Sequence, residues 1–131
     1  MFQRAGAPAY KPGLDTSRAL DKAFGYPHRA YKTIHVAGTN GKGSTSHTLA
    51  AVLQAAGYRT GLYTSPHLVD FRERMRVNGK MISEEEVVDF VSRYGAMCLN
   101  LHPSFFELTM MMAFDFFARE NVDIAIIEVG L

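Results

Sequence analysis

A short glycine-rich segment between two structured stretches constrains the fold of this chain more than any other feature. Residues 31–37 are mostly β-branched or apolar and predict a buried strand. Glycines and polar residues follow over residues 38–44, and apolar residues at helical spacing then predict a helix over about residues 43–56. A glycine turn between a strand and a helix N-terminus favours the binding of a phosphate group, because backbone N–H groups and the helix dipole both attract an anion.

The other side chains of this turn strengthen that interpretation. Lys42 adds a full positive charge near the terminal phosphates, and Ser44 or Thr45 offers a hydroxyl to Mg²⁺. A purely structural turn would account for two glycines, but not for three glycines with a lysine and two hydroxyls. The predicted ATP contacts are Gly38, Thr39, Asn40, Gly41, Lys42, Gly43 and Ser44.

The spacing differs from the usual P-loop, which has four residues between its first glycine and a Gly-Lys-Ser/Thr ending. Here two residues separate Gly38 from Gly41, and Gly43 lies between Lys42 and Ser44. This shorter loop argues against a P-loop GTPase or kinase.

The remaining pattern predicts an α/β domain. A second strand over residues 59–64 completes a strand–helix–strand unit, which requires a parallel sheet. We expect a three-layer α/β/α, P-loop NTPase-like domain with a mostly parallel sheet. The other predicted elements are a hairpin (71–77 and 80–82 around Asn78-Gly79), a helix after Ser83, a largely apolar helix from Ser104 to about Glu120, and a strand over 123–129.

Composition narrows the class of protein. With 131 residues, 47% hydrophobic and 21% charged, the chain matches one ordinary globular domain. A net charge of +1 gives no reason to expect binding to nucleic acid or to a membrane. The single cysteine, Cys98, cannot form an internal disulfide, and no apolar run has the length of a signal peptide or membrane span. We expect a cytoplasmic protein.

Two polar residues follow or end predicted strands, where ligands bind in open α/β folds. Ser65 comes just after the second strand, and Glu128 ends the apolar third strand. A buried carboxylate needs a partner, and Mg²⁺ is a suitable one. The alternatives are a plain turn at Ser65-Pro66 and a glutamate that points to solvent. We expect Ser65 and Glu128 to lie close together and near the glycine turn.

Two further groups of residues have more than one interpretation. Ser104-Phe105-Phe106-Glu107 is a capping box that predicts a helix start, with Phe106 in the core. Arg72, Arg74 and Arg76 alternate along a predicted strand and would share one side, where they either meet a polyanionic substrate or are solvated.

The glycine turn resembles the P-loop of the Mur ligase superfamily. Its glycine between lysine and serine resembles the folylpolyglutamate synthase and dihydrofolate synthase branch, whereas cell-wall Mur ligases more often have threonine directly after the lysine. Three further segments resemble those of the family in the same order: residues 64–68, 71–79 and 127–131. The resemblance covers about residues 11–131.

The resemblance implies an ATP-dependent ligase that joins glutamate to dihydropteroate or tetrahydrofolate through an acyl phosphate, with ATP and Mg²⁺. It implies that Lys42 is catalytic, that the metal ligands are Ser65, Glu128 and a P-loop hydroxyl such as Ser44, and that the pterin contacts are Ser104, Phe105, Phe106 and Glu107. It also implies that residues 1–131 are the N-terminal portion of the ATP-binding domain, without the C-terminal glutamate-ligase domain.

Several alternatives stay open at this point. They are a cell-wall Mur-type amino-acid ligase, a P-loop GTPase or kinase, and a nucleotide-binding module without catalysis. The partners expected are small molecules, without nucleic acid or membrane. We expect a monomeric full-length enzyme and a 131-residue piece that self-associates and lacks ligase activity. The residues do not separate dihydrofolate synthase from folylpolyglutamate synthase activity.

Overall fold

The structure, a computed structural model, describes residues 14–38, 40–66, 69–97 and 101–129. Helices are α1 (Asp15–Ala23), α2 (Lys42–Ala55), α3 (Glu84–Met97) and α4 (Phe105–Arg119), and strands are β1 (Lys32–Ala37), β2 (Thr60–Tyr63), β3 (Met75–Val77), β4 (Lys80–Met81) and β5 (Ile124–Val129). Short 3₁₀ helices span Pro27–Ala30 and Phe71–Arg74. In the described part of the chain, no helix is long and apolar enough to cross a membrane.

The five strands form one sheet in the order β1-β5-β2-β3-β4. β5 pairs in parallel with both β1 and β2, which confirms the predicted strand–helix–strand unit and the α/β class. β3 and β4 extend the sheet as an antiparallel hairpin, turned by Asn78 and Gly79, both with positive φ. The carboxyl ends of β1, β5 and β2 therefore lie at one edge of the sheet.

Helices cover the two faces of the sheet. α2 packs on one face against β1, β2 and β5. On the other face, α4 buries most of its length with Tyr63, Ala125 and Ile127 of the sheet, as the apolar pattern predicts. Gly61 allows this close approach, because a Cβ at that position would lie 2.8 Å from Phe117 Cδ1. α1 and α3 pack on α4 from outside.

The predicted strand over 71–77 is wrong in its first half. The Asp70 carboxylate accepts from the Arg72 N–H at 2.9 Å, and the Glu73 carboxylate accepts from the Asp70 N–H at 3.2 Å. This capping box starts a 3₁₀ helix, and strand pairing begins only at Met75. Arg72 and Arg74 therefore do not alternate with Arg76 along a strand.

Candidate functional site

Two glycines shape the turn between β1 and α2. Gly38 and Gly41 have φ of 147° and 74°, values that side-chain-bearing residues rarely adopt. Gly41 is the N-cap of α2 and offers no side-chain oxygen to the first amides of the helix, and the first turn contains no acidic residue. These amides and the helix dipole are suited to bind an anion. Of the predicted ATP contacts, Thr39 lies outside the described residues.

Lys42 and Glu128 form an ion pair across this edge of the sheet. The Lys42 Nζ lies 3.6 Å from Glu128 Oε2, and the two side chains are 25% and 5% exposed. Burial excludes the interpretation that Glu128 points to solvent. The buried Ser46 hydroxyl donates to the Lys42 carbonyl at 2.7 Å and helps fix the first turn of α2. The glycine turn and the end of β5 are thus joined by opposite charges.

Ser65 lies beyond the end of β2, the strand next to β5. Tyr63 of β2 pairs with Ile127 of β5. Ser65 follows Tyr63 by two residues and Glu128 directly follows Ile127, so both lie at the same edge of the sheet. Ser65 is half-buried, whereas Ser44 is exposed in the first turn of α2. The strand order thus meets the topological requirement of the predicted magnesium site, while the ligand roles of Ser65, Glu128 and Ser44 stay predictions.

The chemistry of the donor set suits a hard cation with few protein ligands. One buried carboxylate and two hydroxyls are oxygen donors of the kind that Mg²⁺ binds together with phosphate oxygens. Within the described ranges, no group of three or more His, Cys, Asp or Glu side chains could hold a metal by itself. Water and phosphate oxygens are the further ligands that Mg²⁺ takes at sites with few protein oxygens.

The segment over residues 104–107 forms the predicted capping box at the start of α4. The Ser104 N–H donates to Glu107 Oε1 at 2.9 Å, and the Glu107 N–H donates to the Ser104 hydroxyl at 3.1 Å. The Ser17 hydroxyl of α1 donates to the other Glu107 oxygen at 2.8 Å. Ser104 and Glu107 thus hold the helix start in place and tie it to α1.

The two phenylalanines between them are exposed. Phe105 and Phe106 have 62% and 55% of their surface accessible, so the prediction that Phe106 belongs to the core is wrong. The first turn of α4 lies at the end of the core rather than inside it. Phe106 instead lines a cavity of about 200 Å³ between α1 and α4. Its lining residues are Leu14, Ser17, Arg18, Leu20, Asp21, His28, Phe106, Glu107, Met110, Met111 and Phe114.

The polar residues Asp21 and His28 of this cavity were not predicted from the sequence. Asp21 Oδ2 lies 2.8 Å from His28 Nε2, while Asp21 Oδ1 is buried without a hydrogen-bond partner among the described atoms. Asp21 is seven residues from His28 in sequence, and a helix end and a 3₁₀ turn bring them together. No spacing rule for catalytic or metal-binding pairs covers such a contact.

Arg74 was predicted only as one of three similar arginines, but its surroundings differ from those of the other two. Its guanidinium carbon lies 5.5 Å from the centre of the Phe105 ring and 5.9 Å from that of Phe71. These two rings pack edge to face, 6.0 Å apart. Arg74 therefore stands beside the exposed start of α4, next to the predicted pterin contacts.

Three parallel strands with a glycine turn, a lysine and a buried acid at their carboxyl edge are the arrangement of an α/β domain of the P-loop type. No family model matches the chain. The dihydrofolate synthase/folylpolyglutamate synthase of Bacillus subtilis is 41% identical over 128 residues, which cover 92% of the chain and 30% of that protein. The chain belongs to the folylpolyglutamate synthase and dihydrofolate synthase family and spans about a third or less of the relatives it matches.

Solved structures agree with this assignment. The folylpolyglutamate synthase from Thermotoga maritima is 48% identical with a TM-score of 0.88, covering 93% of the chain and 30% of that structure. The bifunctional folylpolyglutamate synthase/dihydrofolate synthase from Yersinia pestis, complexed with AMPPNP and Mn ion, is 34% identical with a TM-score of 0.88. That match covers 98% of the chain and 31% of the Yersinia chain.

Proposed function

We propose that this chain is the N-terminal portion of the ATP-binding domain of a ligase that joins glutamate to dihydropteroate or tetrahydrofolate. The observation that carries the proposal is the Lys42–Glu128 pair, which puts a cation and a buried acid at the mouth of the glycine turn. The related Yersinia pestis protein was solved with an ATP analogue and a divalent metal, which supports ATP and Mg²⁺ as the ligands here. The proposed location is the cytoplasm, and the proposed full-length state is a monomer.

The proposed nucleotide site uses the backbone of the glycine turn and the N-terminus of α2. Amides of Gly41, Lys42, Gly43 and Ser44 would face the phosphates, while the Lys42 ammonium would neutralise charge on the β and γ phosphates. Glu128, Ser65 and Ser44 would hold Mg²⁺, which supplies charge neutralisation between these phosphates when bound. Because Glu128 already contacts Lys42, one carboxylate would orient both cations.

The proposed reaction has two balanced steps. A carboxylate oxygen of the acceptor attacks the γ phosphorus, the bond from phosphorus to the β–γ bridging oxygen breaks, and ADP leaves. The glutamate nitrogen then attacks the acyl carbon, the carbon–oxygen bond to phosphate breaks, and the nitrogen loses a proton. In this chain, Lys42 and the α2 amides offset the charge of the transferring group, and the residues at the sheet edge align the reactants.

The cavity beside Phe106 is the proposed place for the bicyclic end of the acceptor. Its lining is mostly apolar and includes Phe106, which is exposed for stacking, together with Asp21 and His28. Asp21 Oδ1, which is buried without a hydrogen-bond partner among the described atoms, would accept from an N–H group of a pteridine. Ser104 and Glu107 would support the site through their capping box and leave Phe105 and Phe106 as the direct contacts.

The test compares acceptors in the full-length protein. ATP hydrolysis and glutamate incorporation would be measured with dihydropteroate, with tetrahydrofolate and with a UDP-muramyl acceptor. Activity with either pteridine substrate and none with the muramyl compound is the expected result. Turnover of the muramyl acceptor alone would assign the chain to a cell-wall ligase, and nucleotide binding without turnover of any acceptor would leave a binding module.

A further inference from the structure

We infer that Arg18 and Asp21 form a donor–acceptor pair that recognises one edge of the acceptor's bicycle, and that Arg18 makes the site select a 4-oxo ring over a 4-amino ring. The inference rests on the proposed ligase function and on the proposed place of the bicycle beside Phe106. It assigns a specificity-determining residue to that site.

Arg18 lies on the same side of α1 as Asp21. The two residues are three positions apart within the helix, a spacing that puts their side chains beside each other. Both line the cavity between α1 and α4, together with Phe106 of α4. α1 therefore presents a cation next to an acid to this cavity.

The two side chains differ in how firmly they are held. Asp21 Oδ2 lies 2.8 Å from His28 Nε2, and the Asp21 carbonyl accepts from the Tyr26 N–H at 2.8 Å, which ties the segment carrying His28 to α1. Arg18 is exposed, and its side chain has no hydrogen bond or ion pair within the described ranges. Asp21 is thus fixed, whereas Arg18 can move to meet a ligand.

The other acid of the lining does not compete for Arg18. Glu107 accepts from the Ser104 N–H at 2.9 Å with one carboxylate oxygen and from the Ser17 hydroxyl at 2.8 Å with the other. Both oxygens therefore serve the helix start and its contact with α1. The guanidinium of Arg18 is the charged donor that the cavity offers to a ligand.

This donor and acceptor match the pyrimidine edge of a 4-oxopteridine. The 4-oxo oxygen accepts hydrogen bonds, and the 2-amino group on the other side of the intervening ring nitrogen donates them. A guanidinium only donates and a carboxylate only accepts. Arg18 would therefore donate to the oxygen while Asp21 accepts from the amino group. A 4-amino ring would instead turn N–H groups toward Arg18, which leaves the guanidinium without an acceptor.

This orientation also directs the rest of the acceptor along the start of α4. The substituent that carries the benzoate is on the ring opposite the pyrimidine edge, so it points away from α1. Phe105 follows next to Phe106 and packs edge to face with Phe71, 6.0 Å away. The 3₁₀ helix of Phe71 is tied to the end of β2 by the Thr64 N–H, which donates to the Arg74 carbonyl at 2.9 Å. The benzoate would thus run toward the loop that carries Ser65.

The first experiment measures binding of pteroate and of 4-amino-4-deoxypteroate to the full-length protein in the presence of AMPPNP and Mg²⁺. A hydrogen bond from a charged donor corresponds to about 10- to 100-fold in affinity, and the exposed position of Arg18 puts the expected preference for pteroate at about tenfold. R18M should abolish this preference, and R18K, which keeps a charged donor, should retain part of it.

R29M is the matched control. Arg29 is exposed on the 3₁₀ helix after α1, with its guanidinium carbon 4.1 Å from the centre of the Tyr26 ring, and it is not among the lining residues of the cavity. Its loss removes the same charge from the same region and should leave the preference for pteroate unchanged.

The outcomes separate the two levels of the proposal. A preference for pteroate that survives in R18M, or a wild-type protein that binds both compounds equally, overturns the role of Arg18 and leaves the ligase function standing. If wild-type protein binds neither compound, both the acceptor class and the Arg18 role are wrong.

The second experiment tests the other half of the pair through D21A. Both compounds carry the 2-amino group, so D21A should weaken both by a similar factor of about three- to tenfold and leave the preference between them unchanged. D15A, which removes an exposed acid in the first turn of α1, should change neither affinity. Wild-type affinities in D21A would overturn the contact of Asp21 with the amino group.

Discussion

Lys42 and Glu128 show how one pair of side chains connects folding with ligand binding. A carboxylate as buried as Glu128 is costly without a partner, and in this structure its partner is the lysine of the glycine turn. A distance of 3.6 Å is long for a hydrogen bond, so the contact is mainly electrostatic and leaves carboxylate lone pairs for other ligands. A metal and a nucleotide that bind at this edge would therefore meet an acid and a cation that are already in place, Glu128 and Lys42.

Replacing Lys42 with alanine should weaken ATP binding by about 10- to 100-fold, because a charge-assisted contact to phosphate is lost. The same change leaves Glu128 without its cation and should lower the free energy of unfolding by about 1–3 kcal/mol. The double variant K42A/E128Q should recover part of that stability without recovering affinity. Titration calorimetry and urea unfolding measure the two effects.

K32A provides the matched control, since Lys32 is an exposed lysine at the start of β1, away from the turn. Unchanged ATP affinity in K42A would rule out the proposed role of Lys42. A K42A protein that loses affinity only because it is unfolded would be recognised by its circular dichroism spectrum.

For single residues, the sequence predicts the position in a helix or strand better than it predicts which side chains the residue contacts. Glu128 was expected at the end of an apolar strand, and burial followed from its neighbours Ile126 and Ile127. The partners of Tyr63 and Asp21 depend on strand register and on a helix crossing, which no local pattern of residues contains. The prediction that Phe106 lies in the core was wrong for a related reason. A capping box predicts where a helix starts but not which surface its first turn contacts.

Two glycines in regular elements should respond to the same substitution in opposite ways. G61A would place a Cβ 2.8 Å from the Phe117 ring in the middle of the α4–sheet contact, so we expect a loss of about 1–3 kcal/mol. G95A adds a methyl group in open space on α3 and should stabilise the helix by up to about 1 kcal/mol. Thermal or urea unfolding of the two variants measures the difference, and a stable G61A would show that β2 and α4 are less tightly packed than described.

α3 and α4 are joined by a charge network that should weaken in acid. Arg93 bonds Asp115 of α4 at 2.5 Å and Asp89 at 2.9 Å, and Arg119 bonds Asp89 at 2.6 Å. Arg119 first and Arg93 second hold the pKa of Asp89 below its ordinary value. A carboxyl with a lowered folded-state pKa stabilises the fold above its unfolded pKa of about 3.9, and this contribution is lost as pH falls through the folded value.

We therefore expect D89N to be less stable than wild type at pH 7, with the difference shrinking as pH falls below the unfolded pKa of about 3.9 and through the lowered folded value. E85Q, at an exposed position on the same helix, should show a much smaller difference at either pH. Urea unfolding at a series of pH values measures both. A D89N deficit that persists unchanged into acid would show that packing, rather than charge, connects Asp89 to its neighbours.

The elements themselves were largely predictable, because strand and helix periods, capping boxes and the Asn78-Gly79 turn are local signals. The 3₁₀ helix over Phe71–Arg74 was missed although Asp70 and Glu73 carry the spacing of a capping box. Alternating arginines gave a competing strand pattern over the same residues. Hydrogen bonding by Asp70 and Glu73 outweighed that alternation.

For the whole molecule, the two faces of the sheet are covered to different extents. The α4 face is closed, since α1, α3 and α4 bury a continuous core there. The α2 face is more open. Val52 and Tyr58 are 60% and 50% exposed, and four of the six residues of β1 are exposed. In the described part of the chain β1 pairs with a strand on one side only. An open strand edge and exposed apolar side chains therefore lie together at β1 and α2.

The 131-residue chain on its own should self-associate through this β1–α2 surface. An open strand edge and neighbouring exposed apolar side chains both favour pairing with a second copy. V52K places a charge on that surface and should shift the chain toward monomer in sedimentation velocity runs over a concentration series. V88K alters a residue of similar exposure (64%) on α3 and should leave the association unchanged. Equal effects of V52K and V88K would place the contact elsewhere, and a wild-type chain that stays monomeric at every concentration would remove the self-association prediction altogether.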